Sequence, residues 1–211
     1  MKRLFASTLL LTFCILSQAQ NFSDDFNRVY QACLELRSAS MTGSFSLMKS
    51  AATELKAVEP RYFSTLKCLD DAKLSLDGHF IFDYEFVDSL VVNKKVYSFA
   101  QTYSEKGANR YVSNNKKIFM KTCCVGAMSS SRYSFVSQKT QELAVVAEGH
   151  GLINLRVYDK TNQIWYNDDQ DLNTGLPSRT RVFDIGRGYA VLELEIINKT
   201  DKDISFVIIS N

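Results

Sequence analysis

Glu142-Leu-Ala-Val-Val-Ala-Glu148, then Gly149-His-Gly151, then Leu152-Ile-Asn-Leu-Arg-Val-Tyr-Asp159 is the stretch that decides the fold. Two short apolar runs flank a glycine-bounded turn. Lys160-Thr-Asn162 makes a second polar turn, and Gln163-Ile-Trp-Tyr166 a third run. After a long polar loop the rhythm resumes over 179–185, 189–197 and 204–209. Runs this short, bounded by Gly, Asn and Asp, predict an antiparallel β-sandwich. Leu192, Leu194 and Ile196 alternate with Glu193 and Glu195, as Ile153, Leu155 and Val157 do with Asn154 and Arg156. Such strands have one buried and one wet face, and a one-residue slip would drive the glutamates into the core, so the register is firm.

Toward the N-terminus the strands continue through 132–137 and 118–125. Gly107 to Lys117 is polar and marks the expected boundary between a helical part, 20–107, and the sandwich, 108–211. In the helical part Ser23 is placed to cap a helix with Asp24 and Asp25 in its first turn, the right sign for the helix dipole. Phe26, Val29, Tyr30, Cys33 and Leu34 form its apolar stripe, and Met41-Thr-Gly-Ser44 ends it. Phe45, Met48, Ala52, Leu55 and Val58 give a second helix, stopped at Pro60. Pro60 also suits the first turn of a third helix, with Phe63, Leu66 and Leu69 inward. Asp77-Gly78 reads as a turn. His79 to Tyr103 fits a strand in its first part and a helix from Tyr84 onward; a short extended piece and a long helix are expected. The fold class is therefore α+β: three to four N-terminal helices, expected to dock on a face of a C-terminal antiparallel β-sandwich.

Residues 1–19 read as a signal peptide. Lys2 and Arg3 precede the apolar run Leu4 to Leu16, which is too short to span a bilayer comfortably, and Ser17-Gln-Ala19 supplies the small residues of a cleavage site. Cutting is expected between Ala19 and Gln20, with no lipid anchor and no membrane span in the mature chain. Loss of Lys2 and Arg3 leaves 23 basic residues against 23 acidic ones. A formally neutral chain with no basic face does not call for a nucleic-acid partner.

Cys33, Cys68, Cys123 and Cys124 survive processing, and an exported protein can keep disulfides. Cys33 and Cys68 fall on the inward stripes of two helices expected to be neighbours, so this pairing is favoured. Two buried thiols, or a bond from either residue to Cys123 or Cys124, are the alternatives. No C-x-x-C pair supports zinc.

The strand order resembles the bacterial pre-peptidase C-terminal domain, a small sandwich appended to secreted proteins. The resemblance rests on Phe135, Leu143-Ala-Val-Val146, Asn154-Leu-Arg-Val-Tyr-Asp159, Arg181-Val-Phe183, Gly188-Tyr189, Leu194 to Ile197 and Phe206-Val-Ile208. It covers about the last 75 residues and implies a small β-sandwich there. That family often carries acids before the Leu-x-Val-Tyr-Asp strand, where this chain has His150-Gly-Leu-Ile-Asn154. The layout of leader, helices and sandwich also resembles secreted proteins of Bacteroidota, and Asp88-Ser89-Leu90 matches the Asp-Ser/Thr-aliphatic pattern glycosylated there.

Catalytic signatures are missing. There is no Gly-x-Ser-x-Gly elbow and no phosphate-binding glycine loop, and the two histidines, His79 and His150, are far apart. No catalytic residue, cofactor or metal is assigned. Asp169, Asp171 and Asn173 alternate oxygens like a calcium loop, but Thr174 and Thr180 stand where an EF-hand has Gly and Glu. Trp165, the single tryptophan, has Tyr158 and Tyr166 nearby; exposed, it could stack on a sugar, whereas a sandwich more often buries its tryptophan. The candidate ligand-binding set is Trp165, Tyr166, Tyr158, Asp168, Asp169, Asp171 and Asn173. The function expected is a non-catalytic exported binding module of the cell envelope or exterior, its partner a glycan or a protein. A hydrolase with an unrecognised site is the alternative, and a purely structural envelope protein a third reading.

Overall fold

The computed structural model describes residues 22–70, 80–92, 118–137, 141–166, 175–184 and 189–211. The expected leader, the 107–117 boundary, the helix beyond residue 92 and the acidic loop 168–173 lie outside these residues.

Helix α1 (Asp24–Thr42) buries Phe26, Val29, Cys33 and Leu36 along one stripe. It ends as the Met41-Thr-Gly-Ser44 break predicts. Gly43 is left-handed at φ 69°, and Ser44 N–H returns 3.0 Å to the Ala39 carbonyl. Ser23 occupies the N-cap position but does not cap the helix with its side chain. Its amide and hydroxyl both donate to the carboxylate of Glu142, which is buried in the sandwich. That buried carboxyl group faces the N-terminal, positive end of the helix dipole. Helix α2 (Phe45–Val58) buries Ala51, Ala52 and Leu55, while Phe45 is exposed, contrary to its place in the predicted stripe.

The third helix expected from Pro60 does not form. Glu59 closes α2 in the left-handed conformation, and Pro60 follows the helix end instead of starting a new one. Two short strands come next, β1 (Arg61–Tyr62) and β2 (Lys67–Cys68). Phe63 and Leu66 do point inward, but between two sheets, and Leu69 is exposed. Helix α3 (Tyr84–Val92) follows, and Leu90 and Val87 are buried on it. Ser89 of the Asp-Ser-Leu pattern is buried too, its hydroxyl donating 2.7 Å to the Phe86 carbonyl.

The remaining strands are β3 (Phe119–Val125), β4 (Ser130–Ser137), β5 (Gln141–Ala147), β6 (Ile153–Asp159), β7 (Ile164–Trp165), β8 (Ser178–Phe183), β9 (Ala190–Asn198) and β10 (Ile204–Ser210). They form two five-stranded sheets, ordered β1-β3-β10-β5-β8 and β2-β4-β9-β6-β7. The pairs are antiparallel except β1 with β3. The sheets face each other across a core built from Leu143, Val145, Phe206 and Ile208 on the first, and Phe135, Val157, Leu192, Leu194 and Ile196 on the second. The helices dock on the outer face of the first sheet, where Ala144, Val146, Val207 and Ile209 meet Phe26, Val29, Leu36, Leu55 and Leu90. Each such large side chain, fully buried, contributes about 1.5–3 kcal/mol.

The layers also remove the basis for a Cys33–Cys68 disulfide. Cys33 is buried on α1 against the outer face of the first sheet; Cys68 is exposed on β2, at the edge of the second. Both are free thiols, and the first sheet lies between the layers that carry them.

Candidate functional site

No described element packs on the outer face of the second sheet. Its inward positions are the apolar ones of β9 and β6, so Glu193, Glu195, Arg156 and Tyr158 stand outward. Register brings them together: Arg132, Glu195 and Arg156 form one cross-strand row, and Ser134, Glu193, Tyr158 and Trp165 the next. Opposite charges thus fall directly across from one another, a favourable arrangement on an antiparallel face.

Trp165 stands at one edge of this face, on β7. It is 49% exposed, so the rarer alternative for a sandwich tryptophan holds. Its ring lies 4.7 Å from that of Tyr158, tilted by 36°, and the Arg156 guanidinium sits 4.7 Å from its centroid on the cation–π side. Arg156 is held in turn by Glu195, Nη1 to Oε2 at 3.1 Å, and Glu195 accepts from Ser130 at 3.2 Å. The Nε of Arg156 is shielded from solvent and has no hydrogen-bond partner among the described residues. Lys160 pairs with Glu193 at 2.8 Å on the same face. Beyond Glu195 the face runs into a shallow hollow of about 400 Å³, lined by Met128, Ser129, Ser130, Ile197 and Lys199.

Tyr166 does not join Trp165. Neighbours on a strand point to opposite faces, and Tyr166 turns inward, its ring 5.0 Å from Phe183. Its hydroxyl points to Asp159, which accepts the amides of Thr161 and Asn162 at 2.9 Å each and so fixes the turn ahead of β7. Burial alone would raise the Asp159 carboxyl; the hydrogen bonds from Asn162 and Thr161 outweigh it and hold the group below its usual range. Asp168, Asp169, Asp171 and Asn173 lie outside the described residues. The members of the face that sequence reasoning missed, Arg156, Glu193 and Glu195, were signalled by the alternation that placed them on the wet side.

Among the described residues catalytic groups do not converge on this face. His150 is exposed in its turn. Burial pushes the Cys33 thiol well up, and lifts Cys123 to about 12, the opposite of an activated nucleophile. Among the described residues no cluster of three or more His, Cys, Asp or Glu could hold a metal ion. No described helix is long and apolar enough to cross a membrane.

No family model matches the chain, and no curated protein matches it. Among solved structures, the periplasmic inhibitor of g-type lysozyme from Salmonella Typhimurium is similar over 44% of this chain and 89% of its own, at 12% identity and a TM-score of 0.29. A likeness that distant carries no argument about function.

Proposed function

We propose that this chain is an exported, non-catalytic binding module that engages a glycan or a protein of the envelope or exterior through the uncovered face of its second sheet. One observation carries the reading: Trp165 is half exposed, yet held in place between Tyr158 and Arg156 on a face that nothing described covers. A large aromatic fixed before binding loses little entropy on contact, and Trp and Arg are the residue types that dominate recognition surfaces. The Arg156–Glu195 and Lys160–Glu193 pairs add polar groups on either side, suited to hydroxyls or to a charged rim. Export rests on the leader at 1–19. Asp168, Asp169, Asp171 and Asn173 follow β7 directly in sequence and are proposed as further polar contacts.

Trp165 is the single tryptophan, so its emission reports on the face without labelling. Titration with soluble peptidoglycan fragments, envelope polysaccharides and separated envelope proteins should give a saturable change with one of them, lost in Trp165→Ala. Equal binding by Trp165→Ala and the parent chain would refute the assignment.

A further inference from the structure

A second feature of the sandwich lies at its other edge, away from Trp165. The chain crosses there from the first sheet to the second within a few residues, between Tyr62 on β1 and Lys67 on β2. Cys68 pairs across β2 and β4 with Tyr133, and Cys123 pairs across β3 and β10 with Phe206. Tyr133 and Phe206 are both buried in the core between the sheets, and their rings meet edge to face at 6.1 Å. Cross-strand partners share a face. Each thiol therefore sits one strand outward from the same aromatic contact, and both face the space between the sheets.

Three further contacts agree. Cys123 packs against the inter-sheet core, of which Tyr133 is part. Lys121, on the same face of β3 as Cys123, donates 2.9 Å to the Leu66 carbonyl just ahead of β2. Cys124 points the other way: Met120, of its parity, packs in the helix-side cluster, so the first sheet stands between Cys124 and Cys68. Cys33 lies in the helix layer. Of the other three described cysteines, only Cys123 shares an inner space with Cys68.

We propose that Cys68 and Cys123 form an inter-sheet disulfide that closes this edge of the sandwich. Sandwiches accommodate such bonds between their sheets. The exposed Cys68 is the thiol that an external disulfide can reach. Its thiolate displaces one sulfur of that oxidant and forms a mixed disulfide. The Cys123 sulfur, which burial keeps protonated, then gives up its proton and attacks Cys68. The oxidant leaves fully reduced, with two electrons and two protons transferred from the chain. The bond anchors β2, a two-residue strand at the edge of the second sheet. Only its persistence in the cell rests on the export proposed above.

The test uses the purified full chain, reduced and then equilibrated with oxidised glutathione, so that it is independent of export. Non-reducing peptide mapping should recover the Cys68 fragment joined to the fragment holding Cys123 and Cys124. The link should persist in Cys124→Ser and Cys33→Ser and vanish in Cys123→Ser. The thermal midpoint of the oxidised parent should exceed that of the reduced parent by roughly 10 °C. Cys68→Ser, at an exposed position, should abolish that difference while leaving the reduced midpoint unchanged. A link that survives Cys123→Ser, a link lost in Cys124→Ser, or oxidation that leaves both thiols unpaired overturns the proposal. Should Cys123→Ser fail to fold, fragment-ion sequencing of the linked peptide from the parent chain identifies the bonded residue directly.

Discussion

The two sheets have the same number of strands but opposite surroundings. The first lies between the helices and the second sheet, and every residue of its inner strand β5 is buried. Among the described residues the second is covered on one side only, and β9 alternates between buried and half-buried positions along its length. The difference is written in the composition. Leu143-Ala-Val-Val146 and Phe206-Val-Ile-Ile209 are apolar at consecutive positions, whereas Leu192-Glu-Leu-Glu-Ile196 is apolar at every second one. A strand that must satisfy two cores has no position left for recognition. A strand with one core can spend the other face on charges and an aromatic, and the second sheet does so around Trp165.

The largest expected effect breaks this contrast with one type of substitution at two places. Val146 faces the helices from the first sheet, and Val136 is 56% exposed on the second. Val146→Glu forces a carboxylate between α1, α2 and the sheet, and should cost about 3–5 kcal/mol or prevent folding. Val136→Glu should change stability by less than about 0.5 kcal/mol. Urea unfolding of the two variants measures both; similar losses would mean that the second sheet is also covered.

A smaller effect is a pH dependence on the helix-covered side. Glu148 follows β5 at the end of the first sheet. Burial pushes its carboxyl up to about 7, against hydrogen bonds from Ser205 and the backbone of Phe82 and Ile81, with Asp83 adding to the rise. Unfolded, the group titrates near 4.5. Between the two values the folded protein keeps a proton that the unfolded chain has released. Stability from this group is therefore complete below about pH 4.5, declines as pH rises, and levels off above about pH 7, by on the order of 3 kcal/mol. Thermal melts across this range should show the decline in the parent and a flatter profile in Glu148→Gln. An unchanged slope in the variant would place the titration elsewhere.

Much of this was legible in the chain itself, and the rest fails for identifiable reasons. The alternation in β6 and β9 showed which residues would be wet, and the α1 stripe of Phe26, Val29 and Cys33 showed which would be buried. The segment after Pro60 was misread because proline fits equally well at the start of a helix and just past the end of one. The strands that replace the helix are two residues long, too short to carry a period, and the misplaced Cys33–Cys68 pairing followed from that error. The exposure of Trp165 was not legible, since β7 is equally short. Alternation alone could have separated Trp165 from Tyr166. The bonds joining Ser23 to Glu142, and Glu142 to Asn211, bridge positions too far apart in sequence for any local pattern to reveal.

On the recognition face the expected loss of stability is small. Arg156→Ala removes the bond to Glu195 and the cation over Trp165, yet both side chains of the ion pair are partly solvated. Stability should fall by about 1 kcal/mol or less. The emission of Trp165 should shift, because its stacked neighbour is gone. A loss of several kcal/mol would make the arginine a structural support instead of part of a binding surface.

The central claim, that recognition belongs to the second sheet, is tested most directly by comparing two exposed aromatics. Trp165 lies on the uncovered sheet, and Phe45, 55% exposed, on the opposite helical layer. With the envelope component that saturates Trp165 emission, affinity should be measured calorimetrically for Trp165→Ala and Phe45→Ala. A loss of at least about 2 kcal/mol, near thirtyfold, is predicted for Trp165→Ala, with Phe45→Ala within twofold of the parent chain. Binding that survives Trp165→Ala but fails in Phe45→Ala would move the site to the helices and contradict the account.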